Sequence, residues 1–269
     1  MKLLWPTTPE HILAWSQLLL FWMIANYASG PDPTSNQKRE SHRALRWTLL
    51  VVVRSLILGL VVAWVMRPLD TTVILAALVF AGALVLPLGR TLLVIRDVKW
   101  VAEWEIAVNT ILLGAAALII GHNGLTLGSP AFLVPLSSER LATVCVAAAA
   151  LIFAGRGATH IVRGILDKVG TVPMAHEEQN APESPEEVDT EEYNRGRVIG
   201  VLERWLLIAT VMLGTYAALG LLVAAKGLVR IKELEDRDFS EYFLIGTLTS
   251  VLLALVLGLL VRGAVISWW

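Results

Sequence analysis

Two charge-free apolar runs near the end of the chain, residues 205 to 225 and 242 to 261, constrain the fold most strongly. As a helix, each run is long enough to cross a hydrocarbon core of roughly 30 Å. The segment between them, residues 226 to 241, carries four basic and five acidic residues. Such charges must lie at a membrane surface or in a polar site lined by protein. The pattern therefore predicts an integral membrane protein.

The overall composition predicts the same class. The 269 residues are 56% hydrophobic and 17% charged, with a mean hydropathy of +0.66, which is too apolar for an ordinary soluble domain. A formal net charge of −1 without one basic face argues against a nucleic-acid partner. Cys145 is the only cysteine, so a disulfide or a cysteine metal site within one chain is excluded. Because the sequence contains no phosphate loop, nucleophile elbow or metal-ligand cluster, we expect neither an enzyme nor a bound cofactor or metal.

Hydropathy divides the chain into seven candidate membrane segments, six or seven of which we expect to span. They are about 11–29, 47–66, 71–95, 104–121, 139–165, 197–225 and 239–262. Lengths of about 20 residues and an abundance of Leu and Ala favour helices, so the predicted class is an all-α polytopic membrane bundle. In the first segment, Gln17 and Asn26 would be costly facing lipid, so this segment either lies in the interface or packs inside the bundle.

Basic residues in alternate loops predict the orientation, because the cytoplasmic side carries the excess of Lys and Arg. One side collects 14 of them and the other 7. This places the protein in the cell inner membrane with a cytoplasmic C-terminus. Strict alternation puts the basic residues at 226 to 237 outside, where neighbouring acids balance them.

Residues 170 to 194 form an acidic tract that contains prolines but neither Lys nor Arg. Such a tract has too little apolar surface to offset its chain entropy, so we expect a flexible cytoplasmic linker. It divides the chain into a five-segment N-terminal bundle, residues 1–169, and a two-segment C-terminal membrane unit, residues 195–269.

The sixth segment opens with a cluster of small and charged residues. Gly196 and Gly200 are four residues apart and share a helix face, which permits close approach of a neighbouring backbone. Arg204 continues this face, and Glu203 is offset from it by about 100°. Two interpretations stay open: an interfacial anchor with a tight helix contact, or a charged gate or proton relay.

The charged connection contains spacings that would let a continuing helix pair its own charges. Arg230 lies three residues before Glu233, and Arg237 lies four residues before Glu241. Exposed pairs of this kind contribute only about 0.3–0.5 kcal/mol each. Stability alone therefore does not explain why so many charged residues lie in this short connection. Lys226 directly follows an apolar run, so it either extends to the surface or reaches into the bundle toward Glu241.

The last segment carries a polar stripe at four-residue spacing, formed by Tyr242, Gly246 and Ser250, with Thr247 beside it. Such a stripe is either a helix-packing seam or a lining for water or ions. Arg54 lies deep in the second segment, so its side chain should face protein or water. Its candidate partners are Glu103, Glu105 and Glu241.

The C-terminal part also supports a resemblance. Its charged and small residues recur in a fixed order: Gly196, Arg197, Gly200, Glu203 and Arg204, then Lys226, Arg230, Glu233 and Leu234, then residues 241 to 247. In this order the chain resembles an uncharacterised bacterial multi-pass membrane family, defined by a domain of unknown function, over about residues 195 to 260. Residues 11 to 17 look similar to the family's opening helix, except that Trp15 replaces an acidic residue. The resemblance implies a genuine structural unit but no agreed activity.

Together these patterns favour a non-enzymatic membrane protein whose C-terminal helices, with Arg54, line a polar pathway for ions, protons or a small solute. Gly-rich helix faces suit self-association, so we expect a homo-oligomer. The alternative is a scaffold or regulator whose acidic linker and basic loops recruit a soluble partner or anionic lipid.

Overall fold

The computed structural model describes residues 9–28, 52–57, 59–60, 69–96, 100–123, 137–169, 190–235 and 237–268. Within these ranges the regular structure is entirely helical, which confirms the all-α prediction. The predicted linker lies mostly outside them and stays a prediction, although its last five residues begin a helix at Thr190. That helix starts beyond the last upstream proline, Pro185, and no further proline interrupts it.

Eight α-helices are numbered here in chain order. They are α1 Pro9–Met23, α2 Leu69–Ile95, α3 Val101–Asn123, α4 Ser138–Ile152, α5 Ala158–Val169, α6 Thr190–Met212, α7 Tyr216–Val229 and α8 Arg237–Trp268. Short π-helical segments follow α1, at Ile24–Ala28, and α4, at Phe153–Gly157. A single 3-10 turn, Glu233–Glu235, precedes α8. Residues 52–57 and 59–60 are helical as well.

Among the described residues, three helical stretches are long and apolar enough to cross a membrane: Glu103–Ile120, Ser138–Leu166 and Phe239–Val265. They coincide with three of the seven predicted segments. Ile74–Arg90 and Tyr216–Val229 are shorter apolar helices. The outer face of α8 presents leucines to its surroundings, Leu248 and Leu252 among them, each about 60% exposed. A continuous apolar face of this kind fits lipid better than water.

The prediction of one helix over 197–225 is wrong, because the chain reverses within it. Helix α6 ends at Met212 and α7 begins at Tyr216, and the two helices pack against each other. Gly214 makes the reversal with a φ of 71°, a conformation that glycine adopts without the penalty that a side chain carries. The apolar run 205–225 therefore belongs to two helices, and the C-terminal part contains three helices instead of two.

The chain forms two compact units, and their boundary falls inside the second π-helical segment. The first unit comprises Met1–Phe153 with Gly263–Trp269. In it α1 packs against α4 and α3 around a buried apolar core that includes Leu18, Leu75 and Ile120. Gln17 and Asn26 are also buried there. Of the two placements predicted for the first segment, packing inside a bundle is confirmed.

A glycine makes the closest packing of the first unit feasible. A Cβ added to Gly82 of α2 would lie 1.9 Å from Cη2 of Trp22, whose side chain is fully buried. No real Cβ contact is that short, so the indole of α1 occupies the volume that any side chain at position 82 would need. This contact fixes how closely α1 approaches α2.

The second unit, Ala154–Arg262, contains α5, α6, α7 and α8 as far as Arg262. One buried apolar cluster in it consists of Ala154, Leu207, Ile208 and Ala254. Gly258 of α8 faces Val211 of α6 so closely that an added Cβ would lie 2.8 Å from the Val211 Cβ. Small residues thus bring α6 and α8 together and place their polar side chains side by side.

Candidate functional site

An ion pair on facing helices is the centre of the candidate site. Lys226 Nζ of α7 donates a hydrogen bond to Glu203 Oε2 of α6 at 2.5 Å. Their side chains are 27% and 28% exposed, so the pair is neither fully buried nor freely solvated. The Lys226 ammonium also lies 5.7 Å from the ring centroid of Phe243, close enough for a cation–π interaction. Lys226 therefore bridges α6 and α8 from the last turn of α7.

The pair lines a cleft with a cavity volume of about 40 Å³. Its polar lining consists of Glu203, Lys226, Thr247 and Ser250, and four aliphatic side chains complete it. A cavity of that size accommodates a single small ion or roughly two to three water molecules. All four polar residues are among those that the sequence singled out, and the fold brings them together from three helices.

Arg204 lies behind the cleft and is 4% exposed. Its Nε donates to the Ala154 carbonyl at 2.6 Å, and its Nη2 donates to the Gly155 carbonyl at 3.2 Å and to Thr159 Oγ1 at 2.6 Å. A longer bond of 3.4 Å joins its Nη1 to Ser250 Oγ on the cleft wall.

The two carbonyls that accept from Arg204 belong to the π-helical segment Phe153–Gly157. A π turn disturbs the regular i to i−4 ladder, and such turns are frequent at functional sites. The guanidinium supplies donors to these carbonyls, so Arg204 stabilises the turn from a neighbouring helix. Arg204 is thus a structural anchor that also reaches the cleft through Ser250.

The predicted packing role of the glycines is only partly right. A Cβ on Gly200 would meet Arg204 Nη1 at 3.5 Å, so its open face accommodates the guanidinium of its own helix instead of a neighbouring backbone. Gly196 lies in α6, but its packing falls outside the described residues. Gly246 faces the side chain of Leu166 at 3.6 Å. The stripe on α8 is both a packing seam, at Gly246, and a cleft lining, at Ser250.

Apart from Lys226, the described residues of the charged connection do not line the cleft. Glu241 pairs with Arg237 at 3.1 Å within α8, which confirms their predicted pairing and leaves both side chains exposed. Lys226 was expected to reach toward Glu241 if it turned inward, and that partner is wrong, because Glu203 on the neighbouring helix accepts its bond. Arg230 lies 5.7 Å from the Phe239 ring centroid, and Tyr242 is half-buried beside the same ring.

The continuing helix that would let the connection pair its own charges does not form. Helix α7 ends at Val229, and turns and the 3-10 segment Glu233–Glu235 intervene before α8 begins. The break leaves the backbone of Arg230 bonded to the Gly227 carbonyl, as in a closing helical turn. Charged residues three or four apart lie on one face only within a single helix. This condition holds for Arg237 and Glu241 within α8 but not for pairs in the broken stretch before it.

The first unit holds a buried polar network that the sequence reading missed. Arg90 donates two hydrogen bonds to Glu105, from Nη2 to Oε1 at 2.7 Å and from Nε to Oε2 at 3.1 Å. The Tyr27 hydroxyl donates to the same carboxylate at 2.7 Å, and Asn109 Nδ2 donates to the Tyr27 oxygen at 2.8 Å. Trp22 Nε1 in turn donates to Asn109 Oδ1 at 2.8 Å. These five side chains lock α1, α2 and α3 together.

One signal in the sequence could have pointed to this network. Glu105 and Asn109 are four residues apart on an apolar helix, so two polar groups share one face where lipid would be costly. Arg90 is one of the 14 basic residues assigned from the sequence to the cytoplasmic side, but it lies inside α2 and is buried. Arg54 is half-buried in the stretch 52–57. Of its predicted partners, Glu105 is bonded by Arg90 and Glu241 by Arg237.

Within the described ranges, no group of three or more His, Cys, Asp or Glu side chains is arranged to hold a metal ion. Comparison with known proteins found no matching family model, no matching curated protein and no matching solved structure. The resemblance over residues 195 to 260 therefore stays a prediction, and the cleft is the feature from which a function can be inferred.

Proposed function

We propose that this chain is an integral protein of the inner membrane, with about seven membrane segments, and that it provides a polar pathway for ions, protons or a small solute. The pathway passes through the cleft lined by Glu203, Lys226, Thr247 and Ser250. Neither an enzymatic reaction nor a cofactor is part of this proposal.

The observation that carries the proposal is the Glu203–Lys226 pair between α6 and α7, in a cleft whose other lining is mostly aliphatic. A partly exposed pair returns only about 0–1 kcal/mol of stability. Stability is thus a weak reason to have these charges, whereas a route for charge or water across apolar helices requires polar groups that remain partly accessible.

The size of the cleft limits what passes. A cavity of about 40 Å³ accommodates a single small ion or a few waters but no larger solute in this conformation. Ions and protons are therefore the favoured cargo. Exposed leucines along α8 also provide a surface on which lipid or a second copy of the chain would pack, and the proposed assembly is a homo-oligomer.

The test is ion flux in liposomes that contain the purified full-length chain. Proton, potassium and chloride flux are compared for the native chain, Lys226→Gln and the control Glu241→Gln. The control alters one charge in the same unit, on the exposed pair with Arg237, outside the cleft. We expect flux that Lys226→Gln changes by about tenfold or more and that Glu241→Gln leaves within about twofold, since exposed charges act weakly.

Folding is checked by thermal unfolding of each variant in detergent, so that loss of structure is not read as loss of flux. Native-like folding with no flux of any of the three ions would contradict the proposal. It would favour the scaffold alternative, in which the acidic tract at 170–194 recruits a soluble protein. Deleting residues 175 to 192 should then abolish partner capture.

A further inference from the structure

The charges around the cleft do not cancel. Glu203 contributes one negative charge, and Lys226 and Arg204 contribute one positive charge each. The carboxylate of Glu203 bonds Lys226. Arg204 donates to carbonyl and hydroxyl oxygens, which carry only partial negative charge. The three side chains therefore leave about one net positive charge beside a cavity with apolar walls, where screening by water is reduced.

The remaining polar groups of the cleft are suited to donate hydrogen bonds. Ser250 Oγ accepts from Arg204 Nη1, which leaves the hydroxyl hydrogen of Ser250 available to a second partner. Lys226 has three ammonium hydrogens, one of which is used by Glu203. Thr247 contributes another hydroxyl to the lining. An ammonium and two hydroxyls on side chains that line one small cavity form a donor set for an anion.

From this charge balance and donor set we infer that the cleft binds a small monovalent inorganic anion of the chloride class. The inference rests on the proposed pathway and specifies what it carries. The ion lies between the Lys226 ammonium and the hydroxyls of Thr247 and Ser250. Glu203 competes with the ion for Lys226 and keeps its binding weak enough for release, as conduction requires.

Because the negative charge of Glu203 repels the bound anion, removing that charge should strengthen anion binding instead of weakening it. Glu203→Gln raises the net charge beside the cavity and frees Lys226, so chloride should bind about threefold or more tightly. Lys226→Gln removes the main donor and should weaken chloride binding about tenfold or more. A variant that merely damages folding would not bind chloride more tightly.

Binding is measured by the broadening of the chloride NMR signal when the full-length protein in detergent is titrated with sodium chloride. Glu241→Gln is the matched control, because it changes the charge by the same amount as Glu203→Gln at an exposed pair outside the cleft. We expect it to match the native chain within about twofold. Chloride binding that is absent, or that Lys226→Gln and Glu203→Gln leave unchanged, would overturn the inference.

Flux measurements separate this inference from the proposal beneath it. Liposomes that pass chloride in preference to potassium, with Glu203→Gln and Lys226→Gln altering that preference in opposite directions, support both. Flux that favours potassium or protons leaves the pathway standing and overturns the anion assignment. Chloride binding that responds to Lys226→Gln without any ion flux leaves the anion site standing and overturns the pathway.

Discussion

Breaking the Arg90–Glu105 pair should destabilise the first unit strongly. Glu105 is 1% exposed and accepts three hydrogen bonds, two from Arg90 and one from Tyr27. Arg90→Met removes two of them and leaves a buried, partly compensated carboxylate. Removing one partner of a buried pair costs about 3–5 kcal/mol. In a bilayer the unfolded reference also finds partners, so we expect the lower end, about 3 kcal/mol.

The assay is equilibrium unfolding of the purified protein in mixed micelles with increasing denaturing detergent, followed by tryptophan fluorescence. Arg96→Met is the matched control, since Arg96 lies at the end of the same helix and is exposed. The double variant Arg90→Met, Glu105→Leu removes both charges, and it should be more stable than Arg90→Met alone. The reasoning is refuted if Arg90→Met and Arg96→Met are equally stable, or if the two substitutions at 90 and 105 act additively.

Three further predictions concern packing, backbone and topology. Gly82→Ala should lower the free energy of unfolding by about 1–3 kcal/mol because its Cβ collides with Trp22, whereas Gly114→Ala, which meets no atom within 4 Å, should be neutral or slightly stabilising in the same assay. Gly214→Ala should cost about 1–2 kcal/mol, because a φ of 71° is strained for alanine, and equal stability would contradict the proposed role of the turn. The reversal at Gly214 brings Lys226 back to Glu203, so we expect residues 226 to 237 on the same side of the membrane as the start of α6, in contrast to strict alternation. Cysteines introduced at position 38, in the predicted first cytoplasmic loop, and at position 234 should therefore react with impermeant thiol reagents from the same side, and reaction from opposite sides would contradict this placement.

Length and hydropathy were enough to predict those helices that run without interruption. The segments 104–121, 139–165 and 239–262 coincide with spans of the structure because nothing within them reverses the chain. Hydropathy was not enough for residues 197–225, because a turn made by apolar residues leaves the running average unchanged. Only the positive φ of Gly214 distinguishes the reversal, and glycine in an apolar run is equally compatible with a straight helix.

The cleft was predictable residue by residue but not as a set of contacts. Glu203, Lys226, Thr247 and Ser250 each stood out as polar groups on apolar helices. Which acid would accept from Lys226 depended on the packing of α6 against α7, and that packing depends on the unpredicted turn between them. The network around Glu105 was missed for a related reason, since its members come from three helices and span many residues in sequence.

The most direct test of the central claim places a thiol in the cleft. Thr247→Cys, in a Cys145→Ala background, is reconstituted in planar bilayers in potassium nitrate, and silver ion is added as a thiol reagent small enough for the cavity of about 40 Å³. The adjacent Leu248→Cys is the control, because residue 248 is 63% exposed on the outer face of the same helix. We predict that silver ion blocks the conductance of Thr247→Cys and leaves that of Leu248→Cys unchanged. Conductance that persists in Thr247→Cys after its thiol has reacted would contradict a pathway through this cleft.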